Sequence, residues 1–313
     1  MKNKPRIVVV GSLVFDFVAM AERLPRKGET LLGRSFGMFP GGKGANQAVQ
    51  AGRLGADVHL IGRIGADWLG MKLLDSLHES NVQTEHVLKD PKVNTAACCI
   101  HVDGEGNNAI VIVPEANAAC APADVDAAAA LIQSADVLLC QLEVPLATVA
   151  RAVELAAEGG VTVILNPAPV QELSDALLSR LDYLTPNEHE AAWLVGETGE
   201  TKASEQWARA AAMKLLKRGA RHVVLTLGER GSFLASAKES FLAPAFPIQA
   251  VDTTAAGDAF NGALAVALAE GRSKTESLAF ANAAGALAAT KPGAQPSLPW
   301  RREVEMLAAS HPQ

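Results

Sequence analysis

The run Val251-Asp252-Thr253-Thr254-Ala255-Ala256-Gly257-Asp258-Ala259-Phe260 sets a carboxylate directly after three small residues, where an apolar helical stretch begins. Small side chains at 255–257 let backbone N–H groups face an anion closely, and a helix N-terminus favours negative charge. Such a site suits group transfer, with Asp258 as the base and Ala255, Ala256 and Gly257 as the anion hole. The plain alternative is that Asp258 only stabilises the first turn of its helix.

A second candidate, Gly41-Gly42-Lys43-Gly44-Ala45-Asn46-Gln47, opens another helical stretch. With Gly37 it nearly spells the phosphate loop GxxxxGK[ST], but Gly44 stands where the magnesium-binding hydroxyl belongs, which disfavours a P-loop NTPase. Close backbone approach with Lys43 and Asn46 as donors suits a polyhydroxylated ligand; a glycine-rich turn without a ligand is the alternative. A dinucleotide-binding dehydrogenase needs GxGxxG after its first strand. Here Gly11-Ser12-Leu13-Val14-Phe15-Asp16 follows instead, and that class is excluded.

The elements that must position these residues alternate. Strand-like runs at 7–10, 58–61, 137–140, 161–165, 183–184 and 222–226 are interleaved with Ala-rich helical stretches such as 45–54, 146–157, 205–217 and 257–269. This is the pattern of a layered α/β fold, and the continuously apolar strands predict a mostly parallel sheet covered on both faces. Two regions break the rhythm: 13–21 with 30–39, and 95–102 with 109–113, the second carrying Asp103-Gly104-Glu105-Gly106-Asn107-Asn108 as its turn. They read as antiparallel hairpins of a small sheet projecting from the main domain, the alternative being an extension of the main sheet. No linker, repeat or low-complexity stretch divides the chain, so 1–313 is expected to be one domain.

At 313 residues, 49% hydrophobic and 20% charged, the chain can bury a substantial core, and a net charge of -6 argues against nonspecific nucleic-acid binding. Cys98, Cys99, Cys120 and Cys140 show neither a CxxC pair nor zinc spacing, and reduced, mostly buried thiols are expected. Lys2, Lys4 and Arg6 before an apolar run loosely imitate a signal peptide, but Asp16 breaks the run and residues 7–10 read better as a buried strand. No stretch resembles a membrane span, and a cytoplasmic protein is expected.

In order along the chain, Gly11-Ser12 with Asp16, Gly41 to Gln47, Gln141-Leu142-Glu143, Asn166-Pro167-Ala168-Pro169, Thr185-Pro186-Asn187-Glu188, Thr226-Leu227-Gly228, Asp252 to Asp258 and Lys291 to Ser297 resemble the ribokinase family of carbohydrate kinases nearly end to end. The resemblance implies a three-layer α/β/α ribokinase-like fold with a β-sheet lid, formed by about 13–39 and 95–113, that often pairs into homodimers. It implies ATP-dependent phosphorylation of a small sugar, ribose or a related pentose. Kinases of 2-deoxyribose, another sugar or a nucleoside stand as alternatives, as does a catalytically silent regulator. Asp16, Gly42, Lys43, Asn46, Glu143 and Asp258 would hold the sugar, and Asn187, Thr226, Gly228, Gly231, Gly257 and Asn282 the nucleotide. Glu190, with Asn187, would organise hydrated Mg2+, while Asp252, Thr254, Ala288, Lys291, Gly293 and Ser297 match a K+ site built largely from carbonyls. A solvated helix charge remains the alternative for Glu190 and is the preferred reading of His189.

The chain departs from the family pattern at two positions. Val14 stands where an Asn usually precedes the sugar-binding Asp by two residues, which puts ribose more in doubt than kinase activity; Glu115 replaces a common Gly.

Overall fold

The computed structural model describes residues 4–197 and 204–310. Its strands in chain order are β1 (Arg6–Val10), β2 (Val14–Met20), β3 (Ser35–Gly41), β4 (Asp57–Gly65), β5 (Val82–Asp90), β6 (Ala96–Val102), β7 (Asn108–Val113), β8 (Val137–Cys140), β9 (Thr162–Leu165), β10 (Tyr183–Leu184), β11 (His222–Thr226), β12 (Ser232–Ser236) and β13 (Ser240–Ala243). Nine of them form one sheet in the order β13-β12-β11-β10-β9-β8-β1-β4-β5, and the other four a separate sheet, β3-β2-β6-β7.

From β11 through β5 the large sheet is parallel, and only β12 and β13 run antiparallel. Alternation along its central strands sorts side chains between two cores. Ile7, Val9, Val137 and Leu139 face the helices Lys43–Arg53, Ala256–Ala269 and Lys274–Ala288, while Val8, Val10, Leu138 and Cys140 face Leu146–Gly159 and Glu205–Lys217. Burial on both faces explains why residues 7–10 and 137–140 are apolar throughout, and each large side chain so enclosed contributes about 1.5–3 kcal/mol. The result is a three-layer α/β/α sandwich.

The small sheet joins its halves differently from two stacked hairpins. β2–β3 and β6–β7 are antiparallel pairs, as expected, but they meet through a parallel β2–β6 seam. Only its root is packed: Phe15 belongs to the main core, and Val14, Ala96 and Cys98 form a cluster of their own. All four cysteines are free, with Cys99 alone exposed. Among the described residues no helix is long and apolar enough to cross a membrane.

The strand order reverses at β1, which lies between β4 on one side and the later β8 on the other. Loops leaving the C-terminal ends of parallel strands diverge at such a point and open a crevice. The candidate residues follow those ends: Ser12 after β1, Glu143 after β8, Asn166 after β9, Asn187 after β10 and Gly228 after β11.

Candidate functional site

The helix Lys43–Arg53 starts at Gly42, whose φ of 88° is a left-handed conformation that favours glycine. At Gly44 a Cβ would stand 2.4 Å from the Ser12 backbone nitrogen, so only glycine lets this helix end press against the end of β1. The contact is fixed by polar bonds. Ser12 Oγ donates to Glu143 Oε2 at 2.5 Å, the Lys43 N–H donates to the same oxygen at 2.9 Å, and the Gly44 N–H donates to Ser12 Oγ at 3.3 Å. Ser12 thus ties the ends of β1 and β8 to the Lys43 helix, a role hidden in sequence because Glu143 lies far along the chain.

Next to it stands the helix Ala256–Ala269, entered through Ala255 at φ 59°. Gly257 is exposed at its start while Asp258 is buried, 6% accessible. The carboxylate meets the Lys43 helix side on: Asn46 Nδ2 donates to Asp258 Oδ2 and Gln47 Nε2 to Oδ1, each at 2.9 Å. Asn46 keeps a buried Oδ1 without a partner. A buried acceptor of this kind costs about 1–3 kcal/mol unless a donor reaches it, and a ligand hydroxyl is such a donor.

Charge gathers around Lys43. Burial pulls its ammonium down, but Asp258, Glu143, Glu190 and Asp16 outweigh that and hold it above its ordinary value. Burial lifts the Asp16 carboxyl to about 7, with Glu143 and Asp258 pushing the same way and Lys43 opposing. On β2, Asp16 and Val14 share a strand face, and Val14 is 2% accessible against Ala96 and Cys98. Asp16, Gly42, Lys43, Asn46, Glu143 and Asp258 are therefore brought to one place.

A cleft of ≈ 1010 Å³ opens beside the start of the helix Ala256–Ala269, and Asn187, Thr226, Gly228, Gly231, Gly257 and Asn282 all line it. Its far wall includes Phe246, Pro247, Ile248 and Ala250, an apolar surface suited to a planar base. Asn187 and Glu190 form a capping box on the short helix Glu188–Leu194: the Asn187 N–H and Nδ2 donate to Glu190 Oε2 and Oε1 at 2.8 and 2.9 Å. Glu190 is half-buried rather than a solvated charge, and burial raises its carboxyl despite the Asn187 bond and the Lys43 charge. His189 is exposed, and its neighbour Glu188 pairs with Arg230.

Before the Ala255–Gly257 turn, Asp252 Oδ1 accepts from the Thr254 N–H at 2.9 Å and Thr254 Oγ1 at 2.6 Å, while Oδ2 accepts from the Gly293 N–H at 2.9 Å. Burial pushes Asp252 up, but these bonds outweigh it and hold the carboxyl below its usual range. Ala288 closes the helix Lys274–Ala288, and Ser297 is buried with its hydroxyl on the Ala294 carbonyl. The Lys291 side chain pairs with Glu303 at 3.0 Å, so only its backbone is available to an ion here. Glu115 opens the four-residue helix Glu115–Ala118 at φ 39°.

Residues 4–301 match the model of the pfkB family carbohydrate kinase. The chain is 42% identical over 297 residues to a ribokinase of Haemophilus influenzae, covering 95% of this chain and 96% of the relative. It is 35% identical over 260 residues to a deoxyribokinase of Salmonella typhimurium, covering 83% and 84% respectively. The structure of an Arabidopsis thaliana ribokinase complexed with ribose and ATP superposes with a TM-score of 0.90 at 34% identity, covering 98% of this chain and 99% of that one.

Proposed function

The chain belongs to the pfkB family of carbohydrate kinases, and from that premise we propose that it phosphorylates D-ribose with ATP, yielding D-ribose 5-phosphate and ADP. The observation that carries this reading is the buried Asp258 carboxylate, gripped by Asn46 and Gln47 beside an unpartnered Asn46 acceptor and next in sequence to Gly257, which lines the large cleft. The sugar binds among Asp16, Gly42, Lys43, Asn46 and Glu143, and ATP lies along the cleft with its phosphates toward Gly257. Asp258 takes the proton of the attacking hydroxyl as that oxygen bonds to the γ-phosphorus and the bond to the ADP oxygen breaks. The N–H groups of the Ala255–Gly257 turn receive the migrating phosphoryl charge. The intact Asp258 and glycine segment speak against a silent regulator.

Both metal sites fit the donors present. Glu190 already accepts one N–H on each oxygen, which suits contact with Mg2+ through water. Asp252 with carbonyls of 288–297 offers hard oxygens only, the chemistry of an alkali cation. Bound magnesium neutralises phosphate charge, and bound potassium fixes peptide dipoles behind the anion hole. The exposed apolar edge strand β7, with Ile110 to Val113 between 44% and 65% accessible, supports homodimerisation through the lid. Free thiols fit the cytoplasm.

A second reading, 2-deoxyribose, is favoured by Val14 alone. An isopropyl group beside Asp16 offers a sugar hydroxyl no partner, whereas a methylene there loses nothing. An ATP-consumption screen over pentoses, deoxypentoses, hexoses and nucleosides tests both readings, and a preference for a nucleoside would overturn them. Val14→Asn should raise kcat/KM for ribose relative to 2-deoxyribose about tenfold, the worth of one restored hydrogen bond. An unchanged ratio in a folded, active variant removes Val14 from the sugar wall.

Turnover should also fall when potassium is replaced by tetramethylammonium at constant magnesium. Equal rates after exhaustive dialysis would show that the Asp252 loop works without a cation.

A further inference from the structure

Gln47 is fully buried and committed in three directions. Its Nε2 donates to Asp258 Oδ1 at 2.9 Å and to Asn166 Oδ1 at 3.2 Å, while its Oε1 accepts from Gln141 Nε2 at 2.6 Å. An amide nitrogen carries two hydrogens, and both are used. Turning this amide over would set its nitrogen against the Gln141 donor and its oxygen against two other oxygens, so one orientation alone is satisfied. Asn46 differs: its Nδ2 is on Asp258 but its Oδ1 is unpartnered, so no protein donor holds that end of its amide.

Asn166 is held in its turn. Its Nδ2 donates to the Thr185 carbonyl at 3.0 Å, Thr185 Oγ1 donates to Asn261 Oδ1 at 2.6 Å, and Asn261 Nδ2 donates to the Gly257 carbonyl at 2.9 Å. One run of hydrogen bonds therefore leaves the Asp258 carboxylate, crosses the ends of β9 and β10, and returns to the peptide preceding Asp258. A carboxylate rotates easily about its last side-chain bond. Without an outside restraint its oxygens would not stay in line with a hydroxyl that must sit within about 3–3.5 Å of its target.

We propose that Gln47 is a positioning residue for phosphoryl transfer: held by Gln141 and Asn166, it fixes the plane of the Asp258 carboxylate relative to the anion hole. This rests on Asp258 being the base, so Asp258→Asn is measured alongside.

Gln47→Met removes both donors while keeping an unbranched side chain. We expect kcat to fall about 10- to 100-fold, with KM for ATP within about threefold of the parent, because the nucleotide cleft does not include Gln47. Gln47→Glu keeps an acceptor for Gln141 but sets a second carboxylate against Asp258. Like charges at this distance favour protonation, so the acid limb of the kcat–pH profile should move up by about one unit or more. A side chain at 47 that lay away from the carboxylate would leave that limb in place.

Parental kcat in a folded Gln47→Met, or an unmoved acid limb in Gln47→Glu, overturns the proposal. If Gln47→Met does not fold, the pH profile decides. Should Asp258→Asn retain activity, the base assignment fails; if it collapses while both Gln47 variants behave as the parent, only the positioning role is lost.

Discussion

Asp258→Asn should give a folded protein that still binds sugar but turns over about 10²–10⁴-fold more slowly, the usual contribution of a positioned general base. The site can absorb this change. Asn46 and Gln47 both point N–H donors at the carboxylate, so an amide at 258 creates one donor–donor conflict. Gln47 cannot yield, because its nitrogen also donates to Asn166 Oδ1 and Asn166 is fixed by the Thr185 carbonyl; Asn46 can, because its own Oδ1 has no partner and can accept the new N–H after the amide turns over. Shape and hydrogen bonding near Asp258 are then largely kept, while the ability to take a proton is lost. Saturating turnover and sugar titration calorimetry separate the two. A variant with near-parental kcat would falsify the base assignment, and a variant that fails to bind sugar would move Asp258 from proton transfer to binding.

Much of this site is readable from spacing because its parts lie next to glycine-rich helix starts, where only certain residues are sterically possible. Gly44 is an example: its identity follows from the Ser12 nitrogen 2.4 Å from where a Cβ would be. What sequence could not supply is the identity of partners. Gln47 stands inside the most conspicuous motif of the chain, yet its three contacts come from residues 94, 119 and 211 positions away. Asn261 looks like any polar residue in an alanine-rich helix until Thr185 is found beside it. In the fold, the apolar central strands were legible, but β5 was not. As an edge strand it buries few side chains, and Val82-Gln83-Thr84-Glu85-His86-Val87 lacks the continuous apolar signal of its neighbours. β12 and β13 escaped notice for another reason: both are short, and they extend the sheet by antiparallel turns after the β/α alternation has stopped. The parallel β2–β6 seam of the small sheet joins segments far apart in sequence, which local hairpin patterns cannot announce.

Lys43→Met should lower kcat/KM for the sugar by about 10- to 100-fold at pH 7.5, since a hydrogen bond from a charged donor to the sugar is worth about 1.5–3 kcal/mol. Lys43 is the cation that Asp258, Glu143, Glu190 and Asp16 have in common. With it gone, the carboxylates repel one another without compensation, and the easiest relief is to take up a proton. Asp16 is already poised to do so: burial, Glu143 and Asp258 hold it at about 7, and Lys43 is what opposes them. A raised pKa means that the folded protein keeps this proton where the unfolded chain has lost it. The parent free of sugar should therefore lose stability as pH rises from the ordinary carboxyl value of 3.8 through about 7. In Lys43→Met the upper end of that window moves higher. If sugar hydroxyls need Asp16 as an ionised acceptor, the acid limb of kcat/KM moves up with it, so the deficit should be largest at the acid end, near pH 6, and shrink toward pH 9. Kinetics from pH 6 to 9 with thermal melts of the same samples check both limbs. A constant deficit across that range would confine Lys43 to direct contact with the sugar, and parental kcat/KM throughout would remove it from the site.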